Sequence, residues 1–369
     1  MGDVYPEITE KVNEVKQILE DEEKSFARTL DRGEVLFERA VAKMKEQDPN
    51  NKVFSGADVW KLYDTYGFPV DLTRIMAEDC GLTINEEEFL DEQAKAKERS
   101  KAVKGGEGAK EVKLDVHSIS HLESIPVPKT KDEFKYTHAT IQSSILKIMT
   151  ADKQFVDFFS TSQELIGLIL DKTNFYAESG GQETDTGRLS SNETVFNVTT
   201  VQEYAGYVLH VGYLSSGSLS CGDKVDSEYD TERRQDLMSN HTATHIVNYA
   251  LKSVLGDGID QKGSLVAKEK LRFDYSHSKS VEKADLEKVE SICDEFIKAN
   301  TKVSIEVVSL DAAKQIRGLR AVFGEVYPDP VRVVSVGADV KELLKDPSNP
   351  EWEKVSVEFC GGTYVVLIS

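Results

Sequence analysis

The chain has 369 residues, 39% hydrophobic and 30% charged, which is enough for a substantial core and, by length, for two or three domains. Its formal net charge of −20 argues against a chain built throughout to coat nucleic acid, although an acidic protein can still bind a polyanion through a local basic patch. No apolar run reaches membrane-spanning length, the acidic start with Pro6 carries no secretory signal and fails the myristoylation pattern opened by Gly2, and the scattered Cys80, Cys221, Cys293 and Cys360 show no disulfide framework, so the expected compartment is the cytoplasm.

In chain order, Ile8, Val12, Val15, Leu19, Phe26 and Leu30 recur at helical spacing between charges. They predict one or two long helices over residues 6–47, with Gly33 as a break and Pro49-Asn50-Asn51 as a stop. Ser55-Gly56-Ala57-Asp58 has the form of a capping box before a short helix through Trp60, Leu62 and Tyr63, closed by Gly67-Phe68-Pro69. Further helices are expected from about Leu72 to Gly81 and after Asn85. Lys104-Gly105-Gly106-Glu107-Gly108 reads as a flexible boundary.

From about 112 to 225 the pattern changes to short apolar or alternating runs, such as Leu165–Leu170 and Tyr207–Val211, between Gly, Ser, Asn and Thr clusters. That predicts a small β-barrel. Beyond 230, helices alternate with strands: one helix after Asn240, one from about Val281 to Asn300, and strands at Val331–Val336 and Val355–Phe359. The expected fold class is α+β in three parts, namely a helical bundle (1–103), a β-barrel (104–228) and a C-terminal α/β sandwich (229–369).

Four segments carry candidate chemistry. In Ser239-Asn240-His241-Thr242-Ala243-Thr244-His245, Ser239 or Asn240 suits a helix N-cap, and Ala243, Val247, Ala250, Leu251 and Val254 continue an apolar face. His241 and His245, four apart, then point the same way, where one metal ion can bridge them. The glutamate of the zinc-protease pattern His-Glu-x-x-His is missing, and taken alone the pair reads equally well as an ordinary helix surface. In Glu358-Phe359-Cys360-Gly361-Gly362-Thr363-Tyr364, a cysteine at a strand end precedes two glycines that let backbone approach a ligand. Without the histidines Cys360 reads as a buried small hydrophobe; with them it completes a two-nitrogen, one-sulfur set. On spacing alone, Asn174–Gln182 reads as a hairpin turn and Asp260–Ser264 as an ordinary loop.

Taken together, these segments resemble a known family. His241-Thr242-Ala243-Thr244-His245, Gln261-Lys262-Gly263-Ser264 and Cys360-Gly361-Gly362-Thr363 occur in the order seen in alanyl-tRNA synthetase editing domains. Phe175-Tyr176-Ala177-Glu178 with Gly180-Gly181-Gln182 resembles that family's glycine-rich motif. Leu62–Thr73 and Phe26–Gly33 resemble its tRNA-recognition region, and Val326–Arg332 is also similar. The likeness covers almost the whole chain.

The resemblance implies hydrolysis of the ester joining serine or glycine to the tRNA for alanine, a second sieve that is needed because serine is alanine plus one hydroxyl and a small activation pocket discriminates poorly against it. It implies zinc on His241, His245 and Cys360, with Thr244 beside the metal sensing the serine hydroxyl and Gln261 lining the pocket. Gly180, Gly181, Gln182, Gly361 and Gly362 would approach substrate, and Arg28 and Arg32 are candidate tRNA contacts that read equally as solvated helix residues. Zinc either positions substrate or activates water.

Three departures are visible. Tyr364 stands where the family has a histidine as fourth metal position, and a phenol is a poor zinc ligand at neutral pH. The family continues past Val365–Ser369 with further strand and helix, so apolar surface is expected to be left exposed. The ATP- and alanine-using catalytic core of the family finds no counterpart, so this chain is not expected to charge tRNA by itself. A zinc-dependent hydrolase of mischarged tRNA and a catalytically dead tRNA-binding remnant both stay open. A structural zinc or protein-interaction domain has only the acidic charge in its favour.

Overall fold

A computed structural model describes residues 12–104, 112–137, 140–256, 258–277, 279–321 and 326–367; Ile8 and the glycine-rich stretch 105–108 lie outside them. The chain divides into two compact units, residues 1–109 and 110–369. No described helix is long and apolar enough to cross a membrane.

The first unit is helical. It comprises α1 (Val12–Gln47), β1 (Val53–Phe54), α2 (Gly56–Tyr66), α3 (Val70–Asp79), β2 (Thr83–Ile84) and α4 (Glu86–Lys104), with β1 and β2 paired in parallel. Phe37, Val41, Phe54, Val59, Leu62, Phe68, Ala77, Leu82 and Phe89 form its core.

The expected break at Gly33 does not occur, because α1 runs unbroken through it. A Cβ at Gly33 would lie 2.0 Å from Cδ2 of Phe68. Glycine there is a packing requirement, worth more than the roughly 0.5–1 kcal/mol that it costs inside a helix. Ser55 caps α2 as anticipated, but Asp58 does not close the capping box; Glu88, from α4, accepts from the Gly56 N–H at 2.7 Å and from Ser55 Oγ at 3.3 Å. Arg28 and Arg32 are exposed on α1; Arg28 Nε donates to the Lys24 carbonyl, and the Arg32 guanidinium stands 5.1 Å from the Tyr66 ring centroid.

The second unit opens with α5 (Val116–Ser124) and a 3-10 turn at Glu133–Tyr136. Strands β3 (Ile141–Thr150), β4 (Phe155–Val156), β5 (Phe158–Phe159), β6 (Leu165–Leu170), β7 (Gly187–Ser191), β8 (Thr194–Tyr204), β9 (Tyr207–Ser216), β10 (Leu219–Ser220) and β11 (Lys224–Tyr229) follow. Six of them pair antiparallel in the order β11-β7-β8-β9-β6-β3, and β3 pairs back onto β11, so the barrel closes. Closure leaves no open edge.

The run Leu165–Leu170 is continuously apolar because both its faces are buried. Ile166, Leu168 and Leu170 fill the barrel, while Ile169 packs outside with Val112, Leu114 and Leu122 of the preceding segment. Alternation along β9 works the same way: Val208 and Leu214 face in, and Tyr207, Leu209 and Val211 face out.

The rest of the unit contains α6 (Thr231–Leu255), the hairpin β12 (Gln261–Val266) and β13 (Leu271–Tyr275), α7 (Lys283–Lys298), β14 (Val303–Val308), α8 (Leu310–Lys314), β15 (Leu319–Arg320), β16 (Val331–Val336), α9 (Val340–Lys345) and β17 (Ser356–Phe359). Four strands form a sheet in the order β14-β16-β17-β15. Period-2 alternation splits β16: Val334 and Val336 pack with Met238, Ile246 and Phe296 of α6 and α7, while Val331 and Val333 pack with Ala313 and Leu343 of α8 and α9. The fold class is therefore α+β, with a closed barrel and a sheet covered by helices on both faces.

Candidate metal centre

The histidine helix starts ten residues earlier than the sequence suggests. Its N-cap is Asp230, whose side chain accepts from the Arg233 N–H, and Ser239 and Asn240 lie well inside α6. Ser239 Oγ turns back to the Gln235 carbonyl, and Asn240 Nδ2 donates to the carbonyls of Ala267 and Lys268, bracing the β12–β13 hairpin. The first turns look too polar to be buried, yet Arg234 is only 2% exposed. Its guanidinium meets the fully buried Asp185 through Nε and Nη2, and donates to the carbonyls of Lys135 and Asn174. An arginine whose three nitrogens are all engaged, one of them on a buried carboxylate, can sit on a buried face that a hydrophobicity pattern cannot reveal.

Helical spacing brings His241, His245 and Asn248 onto one face of α6, toward β17. On β17, alternation sends Val357 and Phe359 into the opposite core and Glu358 toward α6. Cys360 follows at the same register. The result is a cluster in which one ring nitrogen of His241, one of His245 and Cys360 Sγ lie within 4.8 Å of one another, where they could hold a metal ion. Sγ of Cys360 is 3.4 Å from His241 Nε2. The Tyr364 hydroxyl is 3.4 Å from His241 Nε2 and 3.1 Å from His245 Nε2.

The outer partners fix the rings. His241 Nδ1 donates to Gln182 Oε1 at 2.7 Å, and that same oxygen accepts from the Thr363 N–H. His245 Nδ1 donates to Glu358 Oε2 at 2.5 Å, and Asn248 holds the other oxygen of Glu358 at 2.8 Å. With both Nδ1 atoms committed as donors to oxygens, the two Nε2 atoms are turned inward.

Electrostatics follow from these contacts. Burial pushes the Cys360 thiol up, but hydrogen bonds and charge from His241 and His245 outweigh it and hold the thiol well below its ordinary range. Burial lowers His245, while the charge of Glu358 and the Cys360 sulfur raise it, to about 10 overall. Burial raises Glu358, but His245 brings it down below the usual carboxylate value. Burial and the neighbouring Cys360 raise the Tyr364 phenol well above its ordinary value, so it stays neutral.

The cluster opens on a cavity of about 750 Å³. Thr244, Gln261, Gly180 and Gly361 line it beside His241, His245 and Cys360, and Lys252, Lys262 and Arg320 add positive charge to its walls. Gly181, Gln182 and Gly362 stand behind. Gly180 and Gly181 take positive φ in the turn that exchanges hydrogen bonds between Ser179 and Gln182, as the hairpin reading requires. Gln182 is fully buried. A Cβ at Gly362 would fall 2.1 Å from Cε1 of His241, so glycine there lets the imidazole lie against the backbone.

The supporting groups Glu358, Asn248, Arg332 and Tyr136 have no role assigned from sequence, although Glu358 and Arg332 fall inside the segments quoted there. Spacing could have found two of them: Asn248 sits at i+7 from His241, and Glu358 at i−2 from Cys360 on a strand.

Residues 1–233 match the family described as tRNA synthetases class II (A). The relatives extend the match across the His241–His245–Cys360 cluster. A Candida albicans protein named alanine–tRNA ligase is 53% identical and covers 98% of this chain. A Saccharomyces cerevisiae protein named mitochondrial alanine–tRNA ligase is 51% identical over 98% of it, and a Dictyostelium discoideum protein named cytoplasmic alanine–tRNA ligase is 42% identical over 99%. The chain spans a little over a third of their length, 37% for the first two and 38% for the third. A family match over more than half of the chain and relatives of this identity together show that it belongs to the class II tRNA synthetases, in the alanine–tRNA ligase family.

Proposed function

We propose that the second unit carries a zinc-dependent site that hydrolyses the ester of serine or glycine wrongly attached to the tRNA for alanine, and that the helical unit and the barrel contribute to binding that tRNA. The observation that carries this reading is the convergence of two inward-facing Nε2 atoms and a cysteine sulfur on a cavity wall. The donor set fits zinc. Ligands about 2.0–2.3 Å from a tetrahedral ion stand roughly 3.3–3.6 Å apart, and the 3.4 Å between Cys360 Sγ and His241 Nε2 matches. The outer acceptors Gln182 and Glu358 are of the kind that orient metal-bound histidines.

Zinc held by His241, His245 and Cys360 would supply Lewis acidity toward the ester or a bound water. The chain's own residues do the rest. Thr244, whose hydroxyl donates to the Asn240 carbonyl at 2.9 Å, keeps acceptor lone pairs for a serine hydroxyl that alanine lacks. Gln261 offers an amide on the cavity wall, and Lys252 and Lys262 favour the polyanionic end of a nucleic acid.

A second reading, a tRNA-binding remnant without hydrolysis, is favoured by one observation: the neutral Tyr364 hydroxyl lies within 3.4 Å of both inward nitrogens, where a fourth ligand belongs. The test is deacylation of seryl-tRNA for alanine by this chain, with zinc, beside Tyr364→His. Chelator-sensitive hydrolysis by the unsubstituted chain supports the first reading. Activity confined to Tyr364→His supports the second. If neither hydrolyses while both fold and bind zinc, the hydrolase reading fails for this chain.

A further inference from the structure

One cation beside the candidate metal centre, Arg332, has no part in the chemistry described above. Arg332 lies on β16, on the same face as Val334 and Val336, so it points toward α6 and the cluster. A fixed positive charge next to a metal ion is unfavourable, and no carboxylate among the described residues pairs with this guanidinium. Its hydrogen bonds go elsewhere. Nη1 donates to the Cys360 carbonyl at 2.9 Å and to the Gly362 carbonyl at 2.8 Å, and the Arg332 backbone carbonyl accepts from the Cys360 N–H at 3.2 Å. The intervening Gly361 carbonyl accepts from the Tyr136 hydroxyl at 2.9 Å. The guanidinium sits 4.2 Å from the Tyr136 ring centroid and 5.2 Å from that of Tyr364.

These contacts answer a problem set by the turn itself. Gly362 must lack a side chain because His241 lies against it, and Gly361 has nothing within 4 Å of where a Cβ would be. Two successive glycines leave the sulfur on a stretch of backbone with the greatest freedom to lose. Metal affinity depends on that freedom having been lost before the ion arrives.

We propose that Arg332 and Tyr136 form a positioning clamp on the Cys360–Gly362 turn, which holds Sγ where His241 and His245 converge and thereby sets the metal affinity of the site. The inference rests on the metal reading above. Neither residue is a ligand; both act through the three carbonyls of the turn, one from β16 and one from the 3-10 turn before the barrel.

The experiment is a cobalt(II) titration of the whole chain, followed by the thiolate-to-cobalt charge-transfer band, with zinc affinity from competition against a chelating dye. Arg332→Met is expected to weaken affinity about 10- to 100-fold, as loss of outer support typically does, and to diminish the band. Arg332→Lys, which keeps a cation with several donors, should recover part of both. Tyr136→Phe removes one hydrogen bond and should cost about 3- to 10-fold. Native affinity and an unchanged band in Arg332→Met would overturn the clamp. If that variant fails to fold, native affinity in Tyr136→Phe, whose side chain is partly exposed, overturns it equally. An unsubstituted chain that shows no cobalt band removes the metal reading and the clamp with it, whereas binding by the unsubstituted chain with indifference in the variants removes the clamp alone.

Discussion

The barrel and the cleft each bury histidine, and they use it in opposite ways. His210 on β9 is fully buried, and His241 and His245 on α6 are 3% and 5% exposed, so burial does not separate them. Partners do. His210 Nδ1 donates to the Leu168 carbonyl at 3.2 Å and Nε2 accepts from the Thr173 hydroxyl at 2.7 Å; both nitrogens are spent on the wall of the barrel. Burial then drives its pKa down to about 4. In the cleft the Nδ1 atoms are anchored on Gln182 and Glu358, and the Nε2 atoms face inward, toward the Cys360 sulfur and the Tyr364 hydroxyl. A buried histidine becomes a ligand candidate when one nitrogen is anchored and the other is aimed at a further donor atom.

The largest effect is expected at the joint between the two regions. Arg234→Met would strand the buried Asp185 and should destabilise the second unit by about 3–5 kcal/mol, read as a lower urea midpoint. A loss under 1 kcal/mol would mean that barrel and cleft do not depend on this pair.

Next comes acid. His210 binds its proton near 6.5 when unfolded and near 4 when folded, so the unfolded chain holds more protons between those values. Its contribution is complete above about pH 6.5 and is lost as pH falls toward 4, roughly 3 kcal/mol in all. His210→Gln should lack this part of the acid loss. Identical slopes of stability against pH in the two proteins would break the contrast drawn here.

His245 has the opposite sign. Its raised pKa, about 10, means that zinc must displace a proton, so affinity should climb about tenfold per pH unit from 7 toward that value. Glu358→Gln should flatten the climb and weaken zinc binding at high pH by about 10- to 100-fold. An unaltered pH profile in that variant would show that Glu358 is not what holds the proton on His245.

The smallest effect separates neighbouring glycines. Gly361→Ala, in open space, should leave zinc affinity within about twofold, while Gly362→Ala forces the His241 ring aside at roughly 1–3 kcal/mol. Equal behaviour of the two in a zinc titration would refute the close approach of ring and backbone.

Periodicity made the class of each region legible: helical spacing for the first unit, short two-faced strands for the barrel, and i, i+4 histidines for the cleft. What spacing missed was set by tertiary contact. The start of α6 was hidden because Arg234 is buried by virtue of Asp185, 49 residues away. Gly33 looked like a break because Phe68, which demands it, lies on another segment. Gln182 entered as a substrate contact through the family likeness of its glycine-rich motif, and spacing gave no sign that its side chain is hydrogen-bonded to His241 and Thr363. Arg332 gave no local signal, since its partners are backbone carbonyls that every residue possesses.

The contact between Gln182 and His241 crosses from the strand connections of the barrel to the helix of the cleft, and Tyr136 makes a second crossing to Gly361. The site therefore has two architectural owners. A shortened protein beginning at α6 would retain every candidate ligand and still lose the group that orients one of them. Modular reuse of this chemistry must carry the barrel along or invent substitutes for its glutamine and its tyrosine.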